Sequence, residues 1–200
     1  MLAAVILSGG SSQRMGSPKA LLPYQGRPFL EHLLEVTLHP KIAARRVVLG
    51  AHAELIADAV RLAPDEVVIN DEWENGQLSS IQAGLRSLPA GTDGIILCLI
   101  DHPLISAALI DDLIGRFYSG GTEAARPPIV LPVYQGKRGH PVIFSAGVYG
   151  KLLAAPIDQG ARSVVWEHSG EIAEVITSEQ GCVLNLNDPE TVQRVLGHPG

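Results

Sequence analysis

The chain has 200 residues, 21 acids against 15 lysines and arginines, and a formal net charge of -6 at pH 7. That length suits one domain spanning 1–200, large enough to bury about 70% of its unfolded surface. The acidic balance argues against nucleic-acid or anionic-membrane binding, and no apolar run approaches the roughly 20 residues that cross a bilayer. With no charged leader before Leu2, the expectation is a cytoplasmic protein.

Leu2 to Leu7 form a continuous apolar run, the pattern of a strand buried on both faces. Further strands are predicted near 45–50, 66–69, 94–99, 128–133, 140–144, 172–177 and 182–185. Helices are predicted near 28–38, 53–62, 77–87, 106–117, 146–154, 160–168 and 188–196. This alternation with short loops is the signature of an α/β layer sandwich with a largely parallel sheet. Pro103 and Ser106 introduce the fourth helix, and Asp188-Pro189-Glu190 reads as cap, first-turn proline and first-turn acid for the last. Tyr118 to Pro128, rich in Gly, Ala and Pro, is the best candidate for a mobile connection.

The first strand runs into SGGSSQRMGSPK, a Gly/Ser turn followed by Arg14 and Lys19. Gly9 and Gly10 carry no side chain to hold a ligand away, so backbone N–H groups can point at an anion and the two cations can approach it. No acid occurs before Glu31, whereas Arg14, Lys19 and Arg27 do. Lys19 follows Pro18, which leaves it in an extended turn rather than opening a helix as in a Walker A loop. Gly9, Gly10 and Gly16 do not fit the G-x-G-x-x-G dinucleotide fingerprint. The bland alternative is an ordinary βα turn with surface cations.

Asp101 follows the apolar strand GIILCLI directly. Ligands of an open parallel sheet sit beyond the carboxyl ends of its strands, so Asp101 and the glycine turn should face one crevice. A carboxylate opposite phosphates is how Mg²⁺ is held with few protein ligands; the alternative is a helix cap. Ala124 to Ile157 is a second acid-free stretch, with Arg126, Lys137, Arg138, His140 and Lys151. Two electropositive segments suggest two anionic substrates or two ends of one, although a basic hairpin tip reads the same way. Asn70 just past a strand, and Ser79 and Ser80 in a first helical turn, offer polar groups to a base or ribose, with Trp73 covering an edge; each also reads as ordinary capping or surface chemistry. Cys98 and Cys182 sit in apolar surroundings as inert thiols, and no zinc or iron spacing occurs among seven histidines. A glycine turn, a lysine, an arginine and a metal carboxylate serve phosphoryl or nucleotidyl transfer, where positioning and charge neutralisation supply most of the catalysis.

LSGGSSQRMGSPKALLPYQGRPFLEH resembles the opening signature of the nucleotidyltransferases that attach a nucleotide to the molybdenum cofactor, relatives of the nucleotide-sugar pyrophosphorylases. The likeness continues through NDEWENGQLSSIQAGL, LIDHPLI, KRGHPVIF, DQGARSVV and NLNDPE. The resemblance implies a Rossmann-like three-layer αβα fold. It implies that Leu7, Ser8, Gly9, Gly10 and Ser11 hold a nucleoside triphosphate, that Arg14 and Lys19 bind its phosphates, and that Asn70, Asp71, Ser79 and Ser80 face its base or ribose. Asp101 matches the family's Mg²⁺ aspartate, and Asn187 stands where many relatives have Asp, as a second metal contact. Lys137, Arg138 and His140 are then the acceptor-binding residues, and the acceptor is molybdopterin. RGHPVIF and SSI-x-AGL resemble the cytidylyltransferase branch, which uses CTP and prepares cofactor for a molybdenum hydroxylase; LSGG is closer to the guanylyltransferases, which use GTP. More segments point to CTP. Transfer to a sugar phosphate is the rival with the same chemistry, and a nucleotide-binding regulator or cofactor carrier is the rival of another class.

Overall fold

A computed structural model describes residues 1–197. β1 (Leu2–Ser8) is buried at every position, and its alternation explains the unbroken apolar run. Leu2, Ala4 and Ile6 join one core cluster, and Ala3, Val5 and Leu7 join the other. After the glycine turn come a short hairpin, β2 (Pro23–Tyr24) with β3 (Arg27–Pro28), then α1 (Phe29–Val36), β4 (Ile42–Leu49), α2 (Ala53–Val60) and β5 (Val67–Ile69). α3 (Gln77–Arg86), β6 (Gly94–Leu99) and α4 (Ala107–Tyr118) follow. The rest comprises β7 (Ile129–Tyr134), β8 (Lys137–Arg138), β9 (Val142–Ser145), α5 (Tyr149–Ala154), α6 (Arg162–Glu167), β10 (Ile172–Ile176) and α7 (Pro189–Leu196).

The main sheet has the order β10-β7-β9-β6-β1-β4-β5, with β8 paired to β7. β1 pairs in parallel with both β4 and β6, and β4 with β5, so four neighbouring strands, β6, β1, β4 and β5, end at one edge of the sheet. β9 is antiparallel to β6 and β7, and β10 returns parallel to β7. Leu30, Leu33, Ile56, Ile110, Leu113 and Phe117 of α1, α2 and α4 cover one face. Leu78, Ile81, Leu85, Leu152 and Val164 of α3, α5 and α6 cover the other. The result is the expected αβα sandwich. α3 lies directly on β1 because Gly84 carries no side chain; a Cβ there would meet Val5 Cγ1 at 2.7 Å.

Several local expectations change. Residues 182–185 are not a strand: Gln180–Val183 is a 3-10 turn. Cys182 is buried there by packing beneath Gly139, where a Cβ would strike the Cys182 carbonyl, rather than by pairing in the sheet. β2–β3 and β7–β8 are hairpins turned by Gln25-Gly26 and Gln135-Gly136, whose φ values of 51° and 80°, and 48° and 76°, are those of a two-residue turn with both central residues left-handed. Lys19 does not sit in an extended turn but opens the 3-10 turn Lys19–Leu21. Tyr118 to Pro128 is tied down, since Arg126 pairs with Asp93 at 2.8 Å and lies over the Phe117 and Tyr118 rings.

Ser106 caps α4: its Oγ accepts from the Leu109 amide at 3.1 Å and donates to Glu179. Ser106→Ala removes both bonds, costs about 1 kcal/mol and lowers Tm by about 2–4 °C in a domain of this size. Differential scanning calorimetry checks it, and an unchanged Tm contradicts the cap.

Candidate functional site

The carboxyl ends of β1 and β6 open onto a cavity of about 420 Å³. Leu7, Ser8, Gly9, Gly10 and Ser11 line it together with Arg14, Lys19 and Asp101. The chain makes this turn with Ser12 at φ 51° and Gly16 at φ 70°, on either side of the 3-10 turn Gln13–Met15. Ser12 Oγ accepts from the Lys19 amide at 3.1 Å, which fixes the lysine's start relative to the turn. Gly50 at the end of β4 has no room for a side chain: a Cβ would lie 2.5 Å from the Gly9 carbonyl oxygen and from Trp73 Cβ. That close approach brings Trp73 to the cavity wall.

Lys19 is half-buried, and burial pushes its ammonium below the usual lysine range; Asp101 opposes this shift and Arg14 adds to it. The Lys19 Nζ donates to Asn187 Oδ1 at 2.5 Å, and Asn185 Nδ2 donates to Asp101 Oδ2 at 2.9 Å. The backbone reinforces this arrangement, because the Leu186 amide donates to the Asp101 carbonyl at 2.8 Å. The segment before α7 therefore reaches both the lysine and the aspartate. Asn187 lies in the cavity wall as expected, but its amide oxygen is already engaged by Lys19, so a metal contact there requires that bond to open.

The polar segment after β5 divides differently from expectation. Ser80 lines the cavity. Asn70 is buried beneath it, and its Nδ2 donates to Ser79 Oγ and Ser80 Oγ, both at 3.0 Å. Ser79 in turn bonds the carbonyls of Glu72 and Gly76 at 2.9 and 2.8 Å. Asn70 and Ser79 are thus a brace for Ser80 and Trp73 rather than part of the wall. Asp71 is exposed and lines neither this cavity nor its neighbour.

A second cavity of about 500 Å³ adjoins the first, with Gln77 at the start of α3 lining both. Arg138 and His140 line it, whereas Lys137 does not. Alternation explains this, since neighbours on β8 point to opposite sides. Arg138 pairs with Glu174 at 2.8 Å. Burial, aided by His102, whose ring centroid is 5.0 Å away, lowers the His140 pKa to about 4, so at neutral pH its ring is uncharged. The expectation of a basic acceptor segment narrows accordingly: Arg126 is bound to Asp93, and Lys151 to Glu167 at 2.6 Å. The second cavity's other wall, Ile157 to Arg162 with Trp166, comes from the loop before α6 and from α6 itself. Residue chemistry alone did not single out that wall, nor Asn185; DQGAR and NLND were visible only as segments of the resemblance. The Cys98 and Cys182 thiols are free and buried.

The first cavity can hold an extended anion between backbone amides and two cations. Its single wall carboxylate suits a hard divalent cation that takes its remaining ligands from phosphate oxygens and water. Among the described residues no group of three or more His, Cys, Asp or Glu side chains forms a metal cage.

A model of the MobA-like NTP transferase domain matches residues 4–172. Over 199 residues, covering 96% of this chain and 95% of the other, the chain is 30% identical to the nicotine blue oxidoreductase of Paenarthrobacter nicotinovorans. It is 28% identical to a molybdenum cofactor guanylyltransferase of Xanthomonas euvesicatoria pv. vesicatoria, over 96% of this chain and 93% of that one. Among solved structures, Rv0371c of Mycobacterium tuberculosis H37Rv superposes with a TM-score of 0.80 at 29% identity, covering 98% of this chain and 97% of that one. A complex of Rv0371c with manganese matches at a TM-score of 0.73 and 27% identity, covering 98% and 97% of the two chains.

Proposed function

The chain belongs to the MobA-like NTP transferase family, and on that premise we propose that it transfers a nucleotidyl group, CMP from CTP, to the terminal phosphate of a molybdopterin-type cofactor. The observation that carries this reading is the common cavity of the Gly9-Gly10 turn, Arg14, Lys19 and Asp101, joined at Gln77 to a second cavity of acceptor size. Family membership does not choose the chemistry by itself, because one relative is named an oxidoreductase and another a guanylyltransferase. Cations and a lone carboxylate around a glycine turn are apparatus for a triphosphate. CTP is favoured by RGHPVIF and SSI-x-AGL, whose residues contribute to the walls of the two cavities. The product then serves a molybdenum hydroxylase.

In the reaction an oxygen of the acceptor's terminal phosphate attacks the α-phosphorus, a new P–O bond forms, and the α–β bridging bond breaks with its electron pair leaving on pyrophosphate. The turn at Gly9 and Gly10 holds the phosphates by backbone N–H groups, and Ser80, braced by Asn70, faces the nucleoside end. Arg14 and Lys19 offset charge that builds on the leaving group. A triphosphate replaces Asn187 as the partner of Lys19 and draws the lysine's proton affinity back up against burial. Asp101 would hold Mg²⁺, which neutralises phosphate charge when bound. Arg138 and Arg162 line the acceptor side.

Purified protein incubated with Mg²⁺, molybdopterin-type cofactor and each nucleoside triphosphate in turn should release pyrophosphate with CTP at least about tenfold faster than with GTP, a discrimination of about 1.4 kcal/mol. Release with GTP alone moves the chain to the guanylyl branch. Release only with a sugar phosphate acceptor, or turnover of nicotine blue with a nicotinamide reductant and no pyrophosphate, overturns the reading.

A further inference from the structure

The chain's two tryptophans are divided between the two cavities, Trp73 in the first and Trp166 in the second. Trp73 is packed against Gly50 and Gly9. Trp166 is 69% exposed, on α6, whose Val164 is buried in the core below. An indole that lines a cavity and is open to water offers a flat apolar face on which a planar ring can stack. The buried lining of the same cavity is aliphatic and aromatic: Leu78, Ile81, Leu97, Leu131, Val142 and Phe144, none more than 7% exposed.

The charged lining residues are Arg138, Arg162 and Asp158, a surplus of one positive charge, because His140 is neutral at pH 7. Arg138 shares Glu174, whereas Arg162 enters no ion pair among the described residues. A flat aromatic anion satisfies these features together: one face meets the apolar lining, the other meets the indole, and its charge meets Arg162. A pyranose phosphate fits worse, since the hydroxyls of its lower face would lie unpaired on hydrocarbon.

We propose that Trp166 is the stacking surface that selects the acceptor's ring, and that the second cavity takes a flat bicyclic heteroaromatic of pterin type, held between the indole and the apolar lining. This rests on the chain using a molybdopterin-type acceptor, and it assigns the residue that recognises the ring. Isothermal titration of the full chain with pterin-6-carboxylate, with glucose 1-phosphate and with CTP tests it on the wild type, Trp166→Ala and Trp166→Phe. The expected result is that W166A binds pterin-6-carboxylate about 10- to 100-fold more weakly, in keeping with the loss of one ring-stacking contact. W166F stays within about threefold of the wild type, glucose 1-phosphate binds no variant better than the pterin, and CTP affinity is the same in all three. Equal pterin affinity in W166A and wild type, no pterin binding by the wild type, or a parallel loss of CTP binding overturns the assignment. The outcome is separable from that of the transfer assay. Trp166-dependent pterin binding without pyrophosphate release removes the proposed reaction and leaves the site. Release with molybdopterin by a fully active W166A keeps the reaction and removes Trp166.

Discussion

Lys19→Ala lowers kcat for pyrophosphate release about 10²- to 10³-fold while nucleotide affinity weakens about tenfold or less. The asymmetry follows from where the ammonium sits. It is half-buried in the cavity lining, with Asp101 and Arg14 as the charges that act on it. In a partly desolvated position a cation is worth more against developing negative charge than in water, and charge develops on the bridging oxygen only as the α–β bond breaks. In the proposed reaction Arg14 and the turn amides also hold the ground-state triphosphate, so removing one cation is expected to cost binding less than the barrier. Lys19 is not needed for the fold: its one side-chain hydrogen bond among the described residues is to Asn187, another lining residue of the cavity. Equilibrium dialysis with CTP, set beside steady-state kcat, measures the two losses separately. Equal losses in affinity and in kcat/KM with kcat intact would make Lys19 a ground-state anchor only.

How much of this was legible in the sequence differs between layers of the structure. The strand and helix alternation was, because β1 is buried on both faces and reads as an unbroken apolar run, while α1 and α4 bury one stripe. The two hairpins were less legible. Both are turned by the tripeptide Tyr-Gln-Gly, at Tyr24 and Tyr134, where glutamine takes the left-handed position usually held by asparagine. Cys182-Val183-Leu184 misled because a short apolar run has no period by which to tell a strand from a buried turn. The glycine turn, Arg14, Lys19 and Asp101 could be placed together from sequence because a parallel sheet brings consecutive strand ends to one edge. Asn70 and Ser79 could not be told from Ser80, since their roles depend on which hydroxyl faces the cavity and which faces the brace. Asn185 was invisible for a similar reason. Its contact with Asp101 spans 84 positions and depends on the 182–187 segment packing against Gly139, which no local pattern encodes.

Asp101→Asn should abolish the response to Mg²⁺ and lower kcat at saturating CTP about 10²- to 10³-fold, yet leave metal-free CTP affinity unchanged or better. The substitution keeps the side chain's shape, and its carbonyl oxygen can still accept from Asn185. The backbone tie from Leu186 to the Asp101 carbonyl is untouched, so Tm should move little. What changes is charge. Without a divalent ion, a carboxylate facing a triphosphate repels it, and neutralising the carboxylate removes that repulsion. In the proposed site the same carboxylate anchors the ion when it is bound, and an amide oxygen is a weaker ligand for a hard cation. The two effects carry opposite signs, which a merely structural aspartate cannot imitate: loss of a brace weakens CTP binding with and without Mg²⁺ alike. Titrating CTP into wild type and variant in EDTA and again in excess Mg²⁺ separates the cases. A D101N protein that keeps the full Mg²⁺ enhancement places the ion elsewhere and removes Asp101 from the proposed chemistry.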